Sequence, residues 1–409
     1  MAHIASRFEL QFSLPRCKAA NVAFFERIKF CPIGGRSLQR ICDFLANCGA
    51  CRSQPELHCF AKPILPLMRK LRVLVLMHES LVPPDSLDGY TPEEILEWQT
   101  EYDVVTTLRE IGHEVLPLGV YDDLGDLRRA AEDFKPHIWF NLLEEFHGVG
   151  VYDHHVVGYL ELMKQHYTGC NPRGLLLARD KPLAKKIMSY HGIPSPQFFV
   201  VPRGKKTKIA QDCEFPMLVK SVSEDASLGI SKDSIVYDQG ALEDRVRFVH
   251  QSTETDALVE SFIEGRELYV GVIGNRQLKV FPIWEMVFEN AKPGNPCIAT
   301  SRVKWDLKHQ EKLGIKTVRA KSISKKMEAK INSVCKRVYK ALSLSGYGRI
   351  DLRLREDGEV FVIEANPNPN ISFGEDFTES ASSIGITYEQ SLKKIISLGL
   401  NYQAEWRMV

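Results

Sequence analysis

The stretch Gly348–Asn370, GRIDLRLREDGEVFVIEANPNPN, constrains the fold of this chain more than any other. Ile350, Leu352 and Leu354 alternate with Asp351, Arg353 and Arg355, the two-residue period of a strand with one buried face. Asp357-Gly358 is a hairpin turn signal, and Val360–Ala365 runs back as the second strand. With residue 356 paired to 359, Asp351 falls opposite Glu364 and Arg349 opposite Asn366. Like charges opposed across a ladder destabilise it, so the pair needs a reason. Ile350, Leu352, Leu354, Phe361, Ile363 and Ala365 make an apolar face that packs inward, while Arg349, Asp351, Glu364 and Asn366 share the other. Two accounts stand. The acids face water with Arg349 and Arg353 neutralising them, or a divalent cation bridges them. Mg2+ takes oxygen ligands and commonly relies on one or two carboxylates plus substrate phosphates. Asn366 then adds a carbonyl oxygen, and Arg349 stands beside the site as a fixed positive charge. The prolines of NPNPN end the strand as a rigid loop whose remaining N–H groups can face an oxyanion.

At 409 residues, 44% hydrophobic and 26% charged, the chain is long enough for two or three domains with their own cores. A formal net charge of +1 gives no electrostatic footprint for nucleic acid or an anionic membrane. No apolar run approaches the ~20 residues that span a bilayer. A soluble, cytoplasmic protein is expected. Of the ten cysteines, Cys17, Cys31, Cys42, Cys48, Cys51 and Cys59 precede residue 68. Cys48-Gly-Ala-Cys51 has metal or redox spacing but no second pair, so free thiols in a reducing compartment are expected. Residues 1–67 are basic and lack periodicity. They read as a poorly ordered extension, with Met68 as an alternative start, or as a targeting or regulatory leader.

From Leu71 the pattern is α/β. LRVLVLM is a buried strand, Thr91-Pro92-Glu93-Glu94 opens a helix with a capping box, and Gly112 stops it. HEVLPLGV, a helix over Asp122–Asp133 and HIWFNLL follow as a doubly wound unit, with no G-x-G-x-x-G phosphate loop. Functional groups in such a sheet gather at the C-terminal strand ends, here His78, Glu79, Glu144 and Glu145. Leu177–Gly192 reads as one helix, PSPQFFVV, FPMLVK and DALVESFI as strands, and Leu242–His250 as a helix. RELYVGVIG, QLKVFPIWEMV and a helix over Lys325–Leu344 lead to the hairpin. The expected divisions are an extension at 1–67 and domains at 68–166, 167–263 and 264–409.

The segments ARDK (Ala178–Lys181), MLVKS (Met217–Ser221), ALVESFIEGRELYVGVIG (Ala257–Gly274) and GRIDLRL…VIEANPNP occur in that order. Together they resemble the ATP-grasp superfamily, most closely its D-alanine–D-alanine ligase-like branch, over roughly Leu71–Leu400. YTGCNPRGLLLARDK strengthens that choice. The resemblance implies an ATP-grasp fold: a doubly wound N-terminal domain, a central lid domain and a C-terminal α+β domain that grip ATP. It implies phosphate contacts for Lys181 and Lys220, adenine reading by Glu260, Ser261 and Ile263, and a ribose contact for Glu267. Lys304 resembles the loop lysine that reaches the γ-phosphate. Asp351, Glu364 and Asn366 match the ligands of Mg2+ or Mn2+, Arg349 the transition-state cation, and Asn370 the site of a backbone oxyanion donor. For any single lysine among these the competing reading is a solvated surface charge.

The activity so implied is ATP-dependent ligation of a small-molecule carboxylate to an amine through an acyl phosphate, by a protein that is a dimer in much of the family. The substrate half departs from the pattern. MHESLVPPDS replaces a Gly-Gly turn, Ala226 stands at an expected hydroxyl, Asn370 at an expected Gly, and Glu375 at an expected Ser. Glu144 and Glu145 lie where a His is common. A substrate other than D-alanine is therefore expected, a cationic amine meeting Glu144, Glu145 or Glu375 being one form; these acids are equally well loop residues outside the pocket. Two other readings remain: a ligase acting on a peptide or protein terminus, and a nucleotide-binding regulatory protein without turnover.

Overall fold

The computed structural model describes residues 70–210, 213–222, 231–290, 298, 300, 303 and 306–404. The extension with its cysteines, the loop with Ala226, and Lys304 lie outside the described residues. The chain divides into two units, Met1–Met68 and Arg69–Val409, and all that follows concerns the second.

Strands β1 (Arg72–His78), β2 (Glu114–Val120) and β3 (Ile138–Asn141) pair in parallel in the order β2-β1-β3. Parallel neighbours need crossovers, supplied by α1 (Pro92–Glu110) and α2 (Leu124–Phe134). The capping box at α1 forms as the sequence predicts: Thr91 N donates to Glu94 Oε2 at 2.7 Å, and Glu94 N to Thr91 Oγ1 at 3.3 Å. Val73–Met77 are fully buried, as parallel strands covered on both faces require. Next come α3 (Asp153–Leu162), α4 (Pro172–Arg179) and α5 (Lys181–Tyr190). The single helix expected over Leu177–Gly192 is thus two. Asp180, with ψ at 89°, caps α5 by accepting from Leu183 N at 2.9 Å. Pro182 has no N–H to continue α4, so the break falls where Lys181 becomes the first residue of α5.

The second sheet is antiparallel, β4 (Phe198–Val201), β5 (Met217–Ser221), β6 (Ile235–Val236) and β7 (Ala257–Ser261) in the order β4-β7-β5-β6. Leu242, Val246 and Val249 of α6 (Gln239–Ser252) pack with Met217, Val219 and Val259 in its own small core. The third sheet holds β8 (Arg266–Ile273), β9 (Lys279–Val280), β10 (Trp284–Phe288), β11 (Ile315–Arg319), β12 (Tyr347–Leu354) and β13 (Val360–Pro367). Its order is β11-β10-β8-β12-β13, with β9 also on β8. QLKVFPIWEMV forms two strands, with Pro282 in the gap. The helices α7 (Leu307–Leu313), α8 (Lys325–Ala341), α9 (Asp376–Ser382) and α10 (Tyr388–Leu400) complete the unit. Ile331, Val334, Cys335 and Val338 of α8 share one core with Ile350, Leu352, Val360 and Val362.

In the β12–β13 hairpin, Asp351 pairs with Glu364 and Arg349 with Asn366, as expected, but by a different route. The loop is Glu356-Asp357-Gly358 rather than two residues: Arg355 N bonds Glu359 O at 2.9 Å, and Gly358 takes φ +83°. Such three-residue loops end in a left-handed residue. Near the turn the ladder is therefore one residue out of the expected register, with Leu354 facing Val360. A bulge at Ile363 then restores it, since Leu352 faces Val362 and Asp351 faces Glu364. The extra residue also corrects the faces. Val360, Val362 and Ala365 join the core, whereas Phe361 and Ile363, expected there, do not.

Among the described residues no helix is long and apolar enough to cross a membrane. Cys170, Cys213 and Cys335 are buried free thiols.

Candidate active site

A cleft of about 700 Å³, open to solvent, lies between the four-stranded and six-stranded sheets. Lys220, Glu260, Ser261 and Ile263 line it from β5, β7 and the link to β8; Glu267, Asp351 and Glu364 line it from β8 and the hairpin. The two-residue period of the strands is what gathers them. Leu218 pairs with Glu260 and Lys220 with Leu258, so Lys220 and Glu260 share a face. The Glu260 carboxylate lies 3.3 Å from Lys220 Nζ and 3.0 Å from Lys185 Nζ, with all three side chains at 5% exposure or less. Burial alone would raise the Glu260 carboxyl, but the Lys185 and Lys220 cations outweigh it and hold it below the usual range. Burial pushes the Lys185 ammonium down, against the pull of Glu260. Lys185 follows Lys181 by one turn of α5, so the predicted Lys181, itself buried, stands on the same side of the helix. The sequence reading missed Lys185; its signal was that i,i+4 spacing.

On the facing wall, Glu267 accepts from Arg353 Nη2 at 2.6 Å and from the Tyr269 hydroxyl at 2.8 Å. Arg353 therefore neutralises Glu267. Arg349 is bidentate on Asp351, at 2.7 Å and 2.9 Å, and reaches Asp376 at 3.0 Å. Burial would lower the Arg349 guanidinium, but Asp351 and Asp376 raise it well above its usual value, so it is a permanent cation. Asp351 is 6% exposed, which removes the account in which it faces water. The charge of Glu364 reaches Lys185, tying the hairpin to the lysine pair across the cleft. Asn366 Nδ2 is buried without a hydrogen-bond partner. Which amide atom faces a ligand is an assignment, so its oxygen is free to turn toward one. Among the described residues no three His, Cys, Asp or Glu side chains converge. Two carboxylates and an amide oxygen nevertheless fit a hard cation that draws its other ligands from a bound phosphate.

The substrate-half residues are dispersed around the loop after β13. Asn370 is exposed, and its Oδ1 accepts from Thr100 Oγ1 at 3.0 Å and from Ser372 N at 2.8 Å, fastening the loop to α1. Glu375 is the N-cap residue of α9. Lost hydration and then the Asp376 charge raise its carboxyl, with Arg349 offsetting part. At the strand ends, His78 and Glu145 meet at 3.3 Å, whereas Glu79 is exposed on a short 3-10 turn. Glu144 is exposed, and its charge acts on Tyr347 and on Glu101 of α1. Glu101 and Asp376 were also missed. Asp376 is visible only once α9 is folded against β12, while Glu101 carried a signal, an acid in the apolar stripe Trp98, Val104, Val105 and Leu108.

The family model "D-ala D-ala ligase C-terminus" matches residues 187–397. The uncharacterized protein y4sG of Sinorhizobium fredii is 30% identical over 303 residues, 72% of this chain and 85% of that protein. The D-alanine–D-alanine ligase of Desulforudis audaxviator is 26% identical over 315 residues, 76% of this chain and 96% of that one. The crystal structure of D-alanine–D-alanine ligase from Bacillus anthracis complexed with ATP superimposes with a TM-score of 0.63 at 22% identity, covering 81% of this chain and 97% of that one. The three sheets are thus those of an ATP-grasp fold, and the chain belongs to the D-alanine–D-alanine ligase family.

Proposed function

We propose that this protein is an ATP-dependent carboxylate–amine ligase with 68–166, 167–263 and 264–409 as its three domains, and that its substrate is not D-alanine. The observation that carries the reading is the cleft itself: buried Lys220, Lys185 and Glu260 on one wall, opposed Asp351 and Glu364 on the other. One substrate carboxylate oxygen attacks the γ-phosphorus of ATP, and ADP leaves with the bridging electrons. The acyl phosphate so formed is attacked by a neutral amine at its carbonyl, and phosphate leaves as the amide forms. Phosphoryl transfer asks for positioning and charge neutralisation more than covalent help. Lys181, Lys220 and, from the loop outside the described residues, Lys304 meet the phosphates. Glu260, Ser261 and Ile263 meet adenine, and Glu267 the ribose. Asp351, Glu364 and Asn366 would hold Mg2+, which neutralises phosphate charge when bound. Arg349, fixed by Asp351 and Asp376, and a backbone N–H near Asn370 stabilise the oxyanion of the tetrahedral step.

Support for a different substrate comes from the sequence pattern. Glu375 stands where the resemblance places a serine for the second substrate's carboxylate, and like charges there would repel. The test is ADP and phosphate release from the full chain with Mg·ATP across paired acids and amines, with product masses. Efficient turnover of D-alanine alone, or ATP binding without turnover on any pair, overturns the proposal.

A further inference from the structure

Strands β8 and β12 carry a continuous polar file along the cleft. Arg353 pairs with Glu267, Asp351 with Tyr269 and Arg349 with Gly271, so the two-residue period of each strand sets these side chains in step. Glu267 and Arg353 line the cleft, and Tyr269, 4% exposed, stands next to them. Glu267 takes one donor on each carboxylate oxygen. Arg353 Nη2 meets Oε2 at 2.6 Å, and the Tyr269 hydroxyl meets Oε1 at 2.8 Å. A carboxylate has about four acceptor positions, so each oxygen keeps a lone pair to offer.

Both donors are themselves held. Arg353 is 7% exposed, and its Nη1 donates to Gly265 O at 2.9 Å, in the link from β7 to β8. That link lies hard against β12: a Cβ at Gly265, whose φ is +143°, would fall 2.3 Å from Leu354 O. The guanidinium also stands 5.8 Å from the centre of the Phe262 ring. The Tyr269 ring lies 4.8 Å from the Arg349 guanidinium carbon. Burial first, then the charges of Glu267 and Asp351, raise the Tyr269 phenol well above its usual range, so it stays a donor. Its alternative acceptor, Met286 Sδ at 3.8 Å, is the weaker one.

The order along the cleft says what meets this carboxylate. Glu267 follows the link that carries Ile263, and it precedes the Tyr269–Asp351 pair by one two-residue step, about 7 Å. In a nucleotide the sugar joins the base to the phosphates. A carboxylate between a base-reading link and a phosphate-side acid therefore faces sugar hydroxyls. An acceptor pair fixed in this way suits a donor pair, two hydroxyls on adjacent carbons.

We propose that Arg353 and Tyr269 are positioning residues that present both oxygens of Glu267 to a vicinal diol, and that the cleft thereby selects ribonucleotides over 2′-deoxyribonucleotides. This rests on the nucleotide site of the ligase reading and deepens it by naming the sugar. The diol donates to both oxygens while each keeps its protein donor. A 2′-deoxy sugar leaves one oxygen of a charged acceptor facing carbon. Without Arg353 and Tyr269, Glu267 is free to rotate toward solvent, and the missing hydroxyl costs less.

The test is isothermal titration of the full chain with Mg·ADP, Mg·2′-deoxyADP and Mg·GDP. Wild type is expected to prefer ADP over 2′-deoxyADP by about tenfold or more. Tyr269→Phe, which keeps the ring, and Arg353→Leu each reduce that preference, and the double variant brings it near unity. The ratio of ADP to GDP affinity stays as in wild type, since neither side chain meets the base. Equal affinity of wild type for the two sugars, or a preference that survives in the double variant, overturns the inference and leaves the nucleotide reading standing. Should Arg353→Leu not fold, Tyr269→Phe decides alone, an unchanged sugar preference overturning the inference. Sugar preference without turnover on any acid–amine pair removes the ligase reading and keeps the inference. No binding of any of the three nucleotides removes both.

Discussion

Replacing Glu101 by Gln is expected to make the protein more stable, and by an amount that depends on pH. The carboxyl titrates near 4.5 when hydrated and at about 7 in the folded chain. Below pH 4.5 it is protonated in both states and contributes nothing. Between 4.5 and about 7 the unfolded chain gives up the proton while the folded chain keeps it, so stability falls as pH rises. Above about 7 both states are ionised, and the loss is complete. At 1.36 kcal/mol per pH unit, the difference between 4.5 and about 7 amounts to ~3 kcal/mol. Glutamine matches glutamate in size and carries no charge to desolvate. The variant should therefore equal wild type within about 1 kcal/mol at pH 5 and exceed it by ~3 kcal/mol at pH 8.5. For a unit spanning Arg69–Val409 that corresponds to a Tm gap of about 4 °C, opening between the two pH values. Thermal denaturation of both proteins across this range, without nucleotide or amine, is the measurement. A gap that is constant with pH, or a variant less stable at pH 8.5, would refute the reasoning, because either means the carboxylate already has a donor.

Lys185→Met leaves the buried Glu260 carboxylate with Lys220 alone and is expected to cost ~3–5 kcal/mol; the double variant with Glu260→Gln should recover most of it in urea denaturation. Arg349→Lys loses the two-point grip on Asp351 and is expected to lower kcat about 100-fold, or ~3 kcal/mol of transition-state stabilisation, with little change in ATP affinity by equilibrium dialysis. Asp351→Asn removes one of the opposed acids. ATP-dependent phosphate release is expected to fall by a similar order of magnitude, about 100-fold, and the Mg2+ concentration for half-maximal rate to rise; an unchanged Mg2+ requirement would place the cation elsewhere.

The local sequence determined whatever depends on neighbours in the chain. Period-two alternation placed Glu260 and Ser261 at a strand end and Asp351 opposite Glu364, because a strand fixes the direction of each side chain from its number alone. Thr91 and Glu94 fixed the start of α1 for the same reason, a capping box being a contact within one turn. Even here the hairpin register came out right through a longer loop and a compensating bulge at Ile363, and the apolar face was wrong by that one residue. What only tertiary structure decided is where charges desolvate and which of them meet. Lys185 and Glu260 are remote in sequence and come within 3.0 Å only in the folded chain; Arg353 meets Glu267 because β8 lies beside β12 and pairs the two residues. Glu101 shows the limit most plainly. The apolar period of α1 says that a helix forms, but coulombic and desolvation energies depend on distance and burial, and those exist only after the chain has folded.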